Sequence, residues 1–378
     1  MFRMRDADLS GKVLSKLESM DLDITLMHVC GTHQDTLIRY GLDTEFERVG
    51  VNIRQGPGCP VCVTPPVEIE EAIALGRSGV TVAAFGDMMR VPGDDGSLDD
   101  AKAEGADIRI VFGVDDSVEL ARRTDKDVVF IGIGFETTAP TTAAALLSDP
   151  PPNFSVLSCH RTVPPALRAI AGMGEIRLDG MIQPGHVSVI IGTRPYEFLS
   201  KDFGVPQVVA GFEPLDLLMG VYMLARQVKE GRAEVENEYS RAVHPDGNRA
   251  ALDAMARAFE PCDVEWRGFP VIAGSGLRVA ADLREHDARH RYGDVLAQVH
   301  RSTHSEIEGC RCGEMLRGIL TSEECPLFAT GCTPTSPLGP CMVSREGSCH
   351  ISYRYRRRAA DRKGSLSAET ALPRQTGR

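Results

Sequence analysis

A chain of 378 residues with 42% hydrophobic and 25% charged side chains can bury real cores, and its length sets an expectation of two or three domains. Its formal net charge of −11 argues against nucleic acid as a main partner, because phosphate contacts need a basic face. No apolar run approaches the ~20 residues of a membrane helix, so no membrane partner is expected. Eleven cysteines, with no apolar signal segment in MFRMRDADLSGKVLSKLESMDLD, point to a reducing cytoplasm where cysteines serve metals or chemistry.

Residues 9–20 predict a short helix, with Val13, Leu14 and Leu17 at helical spacing. The run ITLMHVC follows, of strand length and ending at Cys30. Four more apolar runs lie near 51, 80, 108 and 128, with helical stretches such as Val67–Gly76 and Ser117–Arg123 between them. The alternation continues with FSVLSCH near 154, GMIQPGHVSVIIG near 181 and PQVVAGFE near 206, then a long helix from Leu215 to Glu230. Such alternation predicts parallel α/β architecture in two units, 21–125 and 126–235. Loops at the C-terminal ends of the strands are then the places to look for function.

Cys30-Gly31-Thr32-His33 lies between a strand and the amphipathic QDTLIRYGL. A helix start favours thiolate at Cys30, and His33 is spaced to orient it, protonate it or share a metal. The plainer alternative is a strand-end cysteine packed as a small hydrophobe. Gly56-Pro57-Gly58-Cys59-Pro60-Val61-Cys62 holds a C-x-x-C pair, which suggests redox chemistry or half a metal site. Thr64-Pro65-Pro66 then opens a helix with Glu68, Glu70 and Glu71 in its first turns, whose dipole favours thiolate at Cys62. Glu136 and Glu213, just past apolar runs, read as helix caps or hydrogen-bond anchors. His186, Cys159 and Cys262 read as core residues. No phosphate-binding glycine loop occurs, so nucleotide binding has no support.

Residues 310–349 hold six of the eleven cysteines among Pro326, Pro334, Pro337 and Pro340. With few large apolar side chains, this stretch needs disulfides, zinc or an iron–sulfur cluster to hold it. The gaps of one, twelve, six, eight and seven residues lack the paired knuckles of zinc ribbons. A [4Fe–4S] cluster takes four thiolates and accepts irregular spacing, so all three staples stand open and two cysteines exceed that set. A basic run, Arg354 to Lys363, opens a polar tail over 356–378 that is expected to be disordered.

In order, CGTH, GPGCPVC, FGDMMRVPG (Phe85–Gly93), GFETTAP, PGHVSVIIG, GFEPLD, WRGFPVIAGSGL (Trp266–Leu277) and the cysteine-rich end resemble the HypD family of hydrogenase formation proteins. The resemblance covers about residues 10–355. It implies two similar parallel-sheet α/β domains and a cysteine-rich α+β iron–sulfur domain within 236–355, with a helix at 1–20 packing on the latter. The family's gaps of twelve, six and sixteen match Cys312, Cys325, Cys332 and Cys349 as the [4Fe–4S] ligands. Cys310 and Cys341 fall outside that pattern, and a redox role for them stays open. The resemblance further implies that Cys30, with His33, marks the site of the Fe(CN)₂CO precursor's iron, and that Cys59 and Cys62 form the redox pair. It implies a HypC-type chaperone and a HypE-type cyanide donor as partners, and indirectly the hydrogenase large subunit. The role implied is a metallocentre assembly scaffold without classical enzyme activity. The competing reading is a stand-alone iron–sulfur thiol/disulfide oxidoreductase. One departure is Gln34, which sits where many members carry glutamate.

Overall fold

The structure is a computed structural model that describes residues 6–94, 96–299 and 307–357. Nine strands form two parallel sheets. β1 (Ile24–His28), β2 (Val51–Gln55), β7 (Gly180–Pro184), β8 (Gln207–Ala210) and β9 (Val235–Asn237) make a five-stranded sheet in the order β2-β1-β7-β8-β9. β3 (Thr81–Phe85), β4 (Ile108–Val111), β5 (Val128–Gly134) and β6 (Phe154–His160) make a four-stranded one in the order β4-β3-β5-β6. β5, β6, β7 and β8 are buried at every position, which is why they read as continuous apolar runs rather than alternating ones.

The α/β class and the strand positions are as the sequence predicts, but the sheets do not divide at residue 125. β3 pairs with both β4 and β5, so that boundary would cut one sheet in two. β1 pairs with β2 on one side and with β7, over 150 residues later, on the other. Local periodicity locates a strand and carries no information about its neighbours.

Two further expectations change. The N-terminal helix Ala7–Glu18, capped by Asp6 accepting from Leu9 N–H at 2.9 Å, packs among the described residues mainly on the long helix Pro214–Glu230 rather than on the cysteine-rich segment. Its buried residues Val13 and Leu17 join a core with Leu26, Leu218 and Val221. The run GMIQPGHVSVIIG is half strand, half helix: β7 ends at Pro184 and the helix Gly185–Ile191 begins at once. A short buried helix and a buried strand are equally apolar, so the pattern does not separate them.

After β9 come the helix Arg249–Ala258 and an antiparallel pair, β10 (Phe259–Glu265) and β11 (Val271–Val279), which packs on β6. The cysteine-rich segment follows with short helices at Cys312–Leu316, Pro340–Val343 and Ser348–Ser352. The tail expected from 356 onward lies outside the described residues beyond 357.

A buried ionic network ties these parts together. Arg161, after β6, is 2% exposed and pairs with Glu68 at 2.9 Å, while it also donates to the backbone carbonyls of Cys159 and Glu265. Arg289 grips both carboxylate oxygens of Glu71, at 3.0 and 2.6 Å. Removing Arg161 leaves the buried Glu68 with only its longer, 3.4 Å pairing to Arg289, so Arg161→Met is expected to cost up to about 3–5 kcal/mol in urea unfolding. Adding Glu68→Gln to that variant is expected to recover part of the loss. A loss under about 1 kcal/mol would mean that the Glu68 charge is solvated or otherwise neutralised.

Candidate functional site

The adjacent strands β1 and β7 present Cys30 and His186 side by side at their C-terminal ends. Cys30 is fully buried and caps the helix Gly31–Tyr40, and its Sγ lies 3.9 Å from His186 Nε2. Two glycines make that placement possible. A Cβ at Gly58 would stand 2.2 Å from the Cys30 nitrogen, and one at Gly31 would stand 2.7 Å from Glu346. The GPGC loop and the cysteine-rich segment therefore both close on Cys30.

The expected thiolate does not form at Cys30 by itself. Burial pushes its thiol up to about 12, outweighing the N–H groups of His33 and Thr32, and the Glu346 carboxyl adds to the rise. His186 is held down to about 4 by burial, so it is neutral at pH 7 with a lone pair to offer. The reading of His186 as a core histidine is thus corrected: it is partly exposed, lines a cleft beside Cys30 and stacks on Phe212 with centroids 5.0 Å apart. The signal that could have found it was its place straight after an apolar run, the same signal that marked Cys30.

His33 is fully buried and turns to β8, its Nε2 donating to the Gly211 carbonyl at 3.0 Å. Burial, with neighbouring His28 and His186, lowers it to about 3. Gln34 accepts from His28 Nε2 at 2.8 Å, a bond that needs only an acceptor oxygen, which glutamine supplies as well as glutamate. Glu213 caps the helix Pro214–Glu230 in a reciprocal capping box with Asp216. Glu136 is buried and accepts from Val163 N–H at 2.9 Å, and burial raises it to about 7. Both carboxylates are the anchors the sequence suggests.

Cys59 and Cys62 are joined in a disulfide, with their Cα atoms 5.2 Å apart. Cys59 caps the four-residue helix Pro60–Val63 and Cys62 lies on it, its N–H donating to Cys59 Sγ at 3.2 Å. Gly58, Pro60 and Val61 line one wall of an open cleft of about 520 Å³, and His186 and Glu346 line it too. Its outer rim carries Ile110 and the almost wholly exposed Phe112.

Behind this cleft the helix Pro60–Val63 packs on Pro340–Val343, which carries Cys341. Next to it Cys310, Cys312, Cys325, Cys332 and Cys349 line a single apolar pocket with Met315, Leu327 and Phe328. The Sγ atoms of Cys310 and Cys312 are 3.3 Å apart. Leu338 N–H donates to Cys332 Sγ at 3.3 Å, the kind of bond that stabilises a cluster-bound sulfur. Gly339 keeps the pocket open, since a Cβ there would meet the Cys310 and Cys312 sulfurs at 2.6 and 2.8 Å.

Among the described residues, no three His, Cys, Asp or Glu side chains are grouped to hold one metal ion. A cubane makes a different demand, because each of its irons takes its own thiolate and the four sulfurs stand around it, not at one point. The donor set and the apolar lining fit such a group. Cys341 is buried against Cys312 and outside the pocket lining.

The model of the HypD family, described as the hydrogenase formation hypA family, matches residues 8–356. The chain is 47% identical over 338 residues to the hydrogenase maturation factor HypD of Rhodobacter capsulatus, covering 88% of this chain and 89% of that protein. It is 45% identical over 345 residues to the protein of that name from Cupriavidus necator, covering 88% and 89%. Against the Escherichia coli K12 hydrogenase maturation factor HypD, the identity is 41% over 346 residues, covering 89% and 91%. With the family's match running from the N-terminal helix through the whole cysteine-rich segment, this chain belongs to the HypD family.

Proposed function

We propose that this chain is a hydrogenase maturation factor that serves as the scaffold on which the Fe(CN)₂CO unit is assembled in the cytoplasm. The observation that carries the reading is the meeting, at one cleft, of His186 and the loop of the Cys59–Cys62 pair, with the buried Cys30 sulfur 3.9 Å from His186. The iron is cargo here. Cys30 sulfur and the neutral His186 nitrogen, 3.9 Å apart, are close enough for one cation with bonds of about 2.0–2.3 Å to reach both. Soft thiolate suits reduced iron, and burial at this site keeps water from competing for it. Reduction of the Cys59–Cys62 disulfide takes two electrons and two protons, and its helix touches the segment that carries six further cysteines. Held by Cys312, Cys325, Cys332 and Cys349, a [4Fe–4S] cluster supplies one-electron chemistry. The apolar rim at Ile110 and Phe112 gives a HypC-type chaperone or a HypE-type cyanide donor a surface to dock on before the unit passes to the hydrogenase large subunit.

The deciding experiment is an infrared spectrum of oxygen-free protein purified together with hydrogenase accessory proteins. Fe–CO and Fe–CN bands are expected on this chain and are expected to vanish in Cys30→Ala. A disulfide-reductase activity with no such bands would favour the stand-alone oxidoreductase.

A further inference from the structure

His186 brings its Nε2 to 3.9 Å from the Cys30 sulfur, yet no hydrogen bond to its other ring nitrogen sets that angle among the described residues. A metal-binding histidine ordinarily donates its second N–H to a carboxylate or a carbonyl, which fixes the ring. Without such a bond the outer torsion of a histidine is broad, and the ring is free to swing. What holds His186 is another ring. It lies nearly parallel to Phe212, at 18° and with centroids 5.0 Å apart.

The strand register brings these two rings together. Pro184 of β7 pairs with Ala210 of β8, and His186 and Phe212 each lie two residues further along. A Cβ at Gly185 would stand 2.6 Å from the Ala210 carbonyl oxygen, so a larger residue would push the two strand ends apart. The backbone beneath the Phe212 ring is pinned from three sides. His33 Nε2 donates to the Gly211 carbonyl at 3.0 Å, Gly211 N–H donates to the Glu238 carboxylate at 3.1 Å, and the Thr36 hydroxyl donates to the Phe212 carbonyl at 2.7 Å. Tyr239 packs steeply on the same ring with centroids 5.8 Å apart, and the Arg241 guanidinium covers Tyr239 at 4.4 Å.

We propose that Phe212 is the positioning residue of the iron site: its ring, held in place by His33 and Thr36, fixes the plane of His186 so that Nε2 stays directed at the Cys30 sulfur. The inference rests on the reading of Cys30 and His186 as the pair that takes the iron. It gives His33 a place in the site without making it a ligand, because its Nε2 is committed to the Gly211 carbonyl. The helix Gly31–Tyr40 then serves the site twice, through the sulfur at its cap and through the two side chains that hold the loop of Phe212.

The test is a titration of Co²⁺ alone into the full-length protein, purified and kept without oxygen, read by the long-wavelength d–d bands of the bound ion. Phe212→Leu keeps apolar bulk but removes the flat face, and is expected to weaken binding about tenfold and to move the bands toward those of His186→Ala. Phe212→Tyr keeps the face for stacking and is expected to stay within about threefold of wild type. In a His186→Ala background, Phe212→Leu is expected to change affinity by less than about twofold, since no ring is left to orient. Circular dichroism checks folding, and Phe212→Met takes the place of Phe212→Leu if that variant does not fold. Wild-type binding that Cys30→Ala and His186→Ala both leave unchanged would sink the iron-site reading itself. A normal wild-type site that Phe212→Leu leaves unchanged overturns the role of Phe212. An equal loss with and without His186 overturns it too, because the effect would then not pass through that ring. Equal losses in the tyrosine and leucine variants overturn the stacking argument.

Discussion

Cys325→Ala is expected to strip the protein of most of the ~4 irons of a cubane and of its brown absorbance. Cys325 is one of five cysteines lining the apolar pocket, and one of four whose spacing matches the family's cluster ligands. The loss should reach beyond the metal. The helices of this segment are five, four and five residues long, too short to persist without tertiary support. Metal binding in such a segment is also folding free energy. Limited proteolysis is therefore expected to cut within 310–349 in the variant and to spare the wild type. Cys341→Ala, outside the pocket lining, is the matched control and should keep its iron. Retained iron with unchanged protease resistance in Cys325→Ala would take that residue out of the ligand set.

How far the sequence reaches depends on whether a feature is local. VVFIGIG and FSVLSCH announce β5 and β6 because buried parallel strands must be apolar throughout. CGTH and GPGCPVC stand out because glycine, proline and cysteine are chosen for backbone and sulfur chemistry. The pairing of β1 with β7 is invisible, since nothing in either run names its neighbour. His186 is misread for the same reason: its proximity to Cys30 exists only once those two strands are side by side. Phe212 looks like an ordinary loop aromatic until the register of β7 and β8 sets it beside His186. The thiolate expected at Cys30 fails on a different ground. The helix start does supply N–H groups, but the sequence does not show how deeply the cap is buried, and burial is the larger effect.

That burial shapes the second large effect. A thiol pushed up to about 12 carries almost no thiolate at neutral pH, so Cys30 is inert until a cation takes its proton's place. Iron binding at Cys30 should therefore release about one proton, and affinity should rise up to about tenfold per pH unit between pH 6 and 8. The sign follows from the ligand being protonated when free and deprotonated when bound. Cys30→Ala is expected to abolish hydrogenase maturation while the cluster's absorbance and the thermal unfolding midpoint stay near wild type, since the change removes one sulfur and no hydrogen-bonded charge. His186→Ala should weaken iron binding and leave the proton release in place, because His186, held down to about 4, is already neutral. The measurements are iron titrations in weakly buffered, oxygen-free solution and a maturation assay in a strain lacking the native gene. Normal maturation by Cys30→Ala, or iron binding that is flat from pH 6 to 8, would show that the iron is held elsewhere than on the Cys30 sulfur.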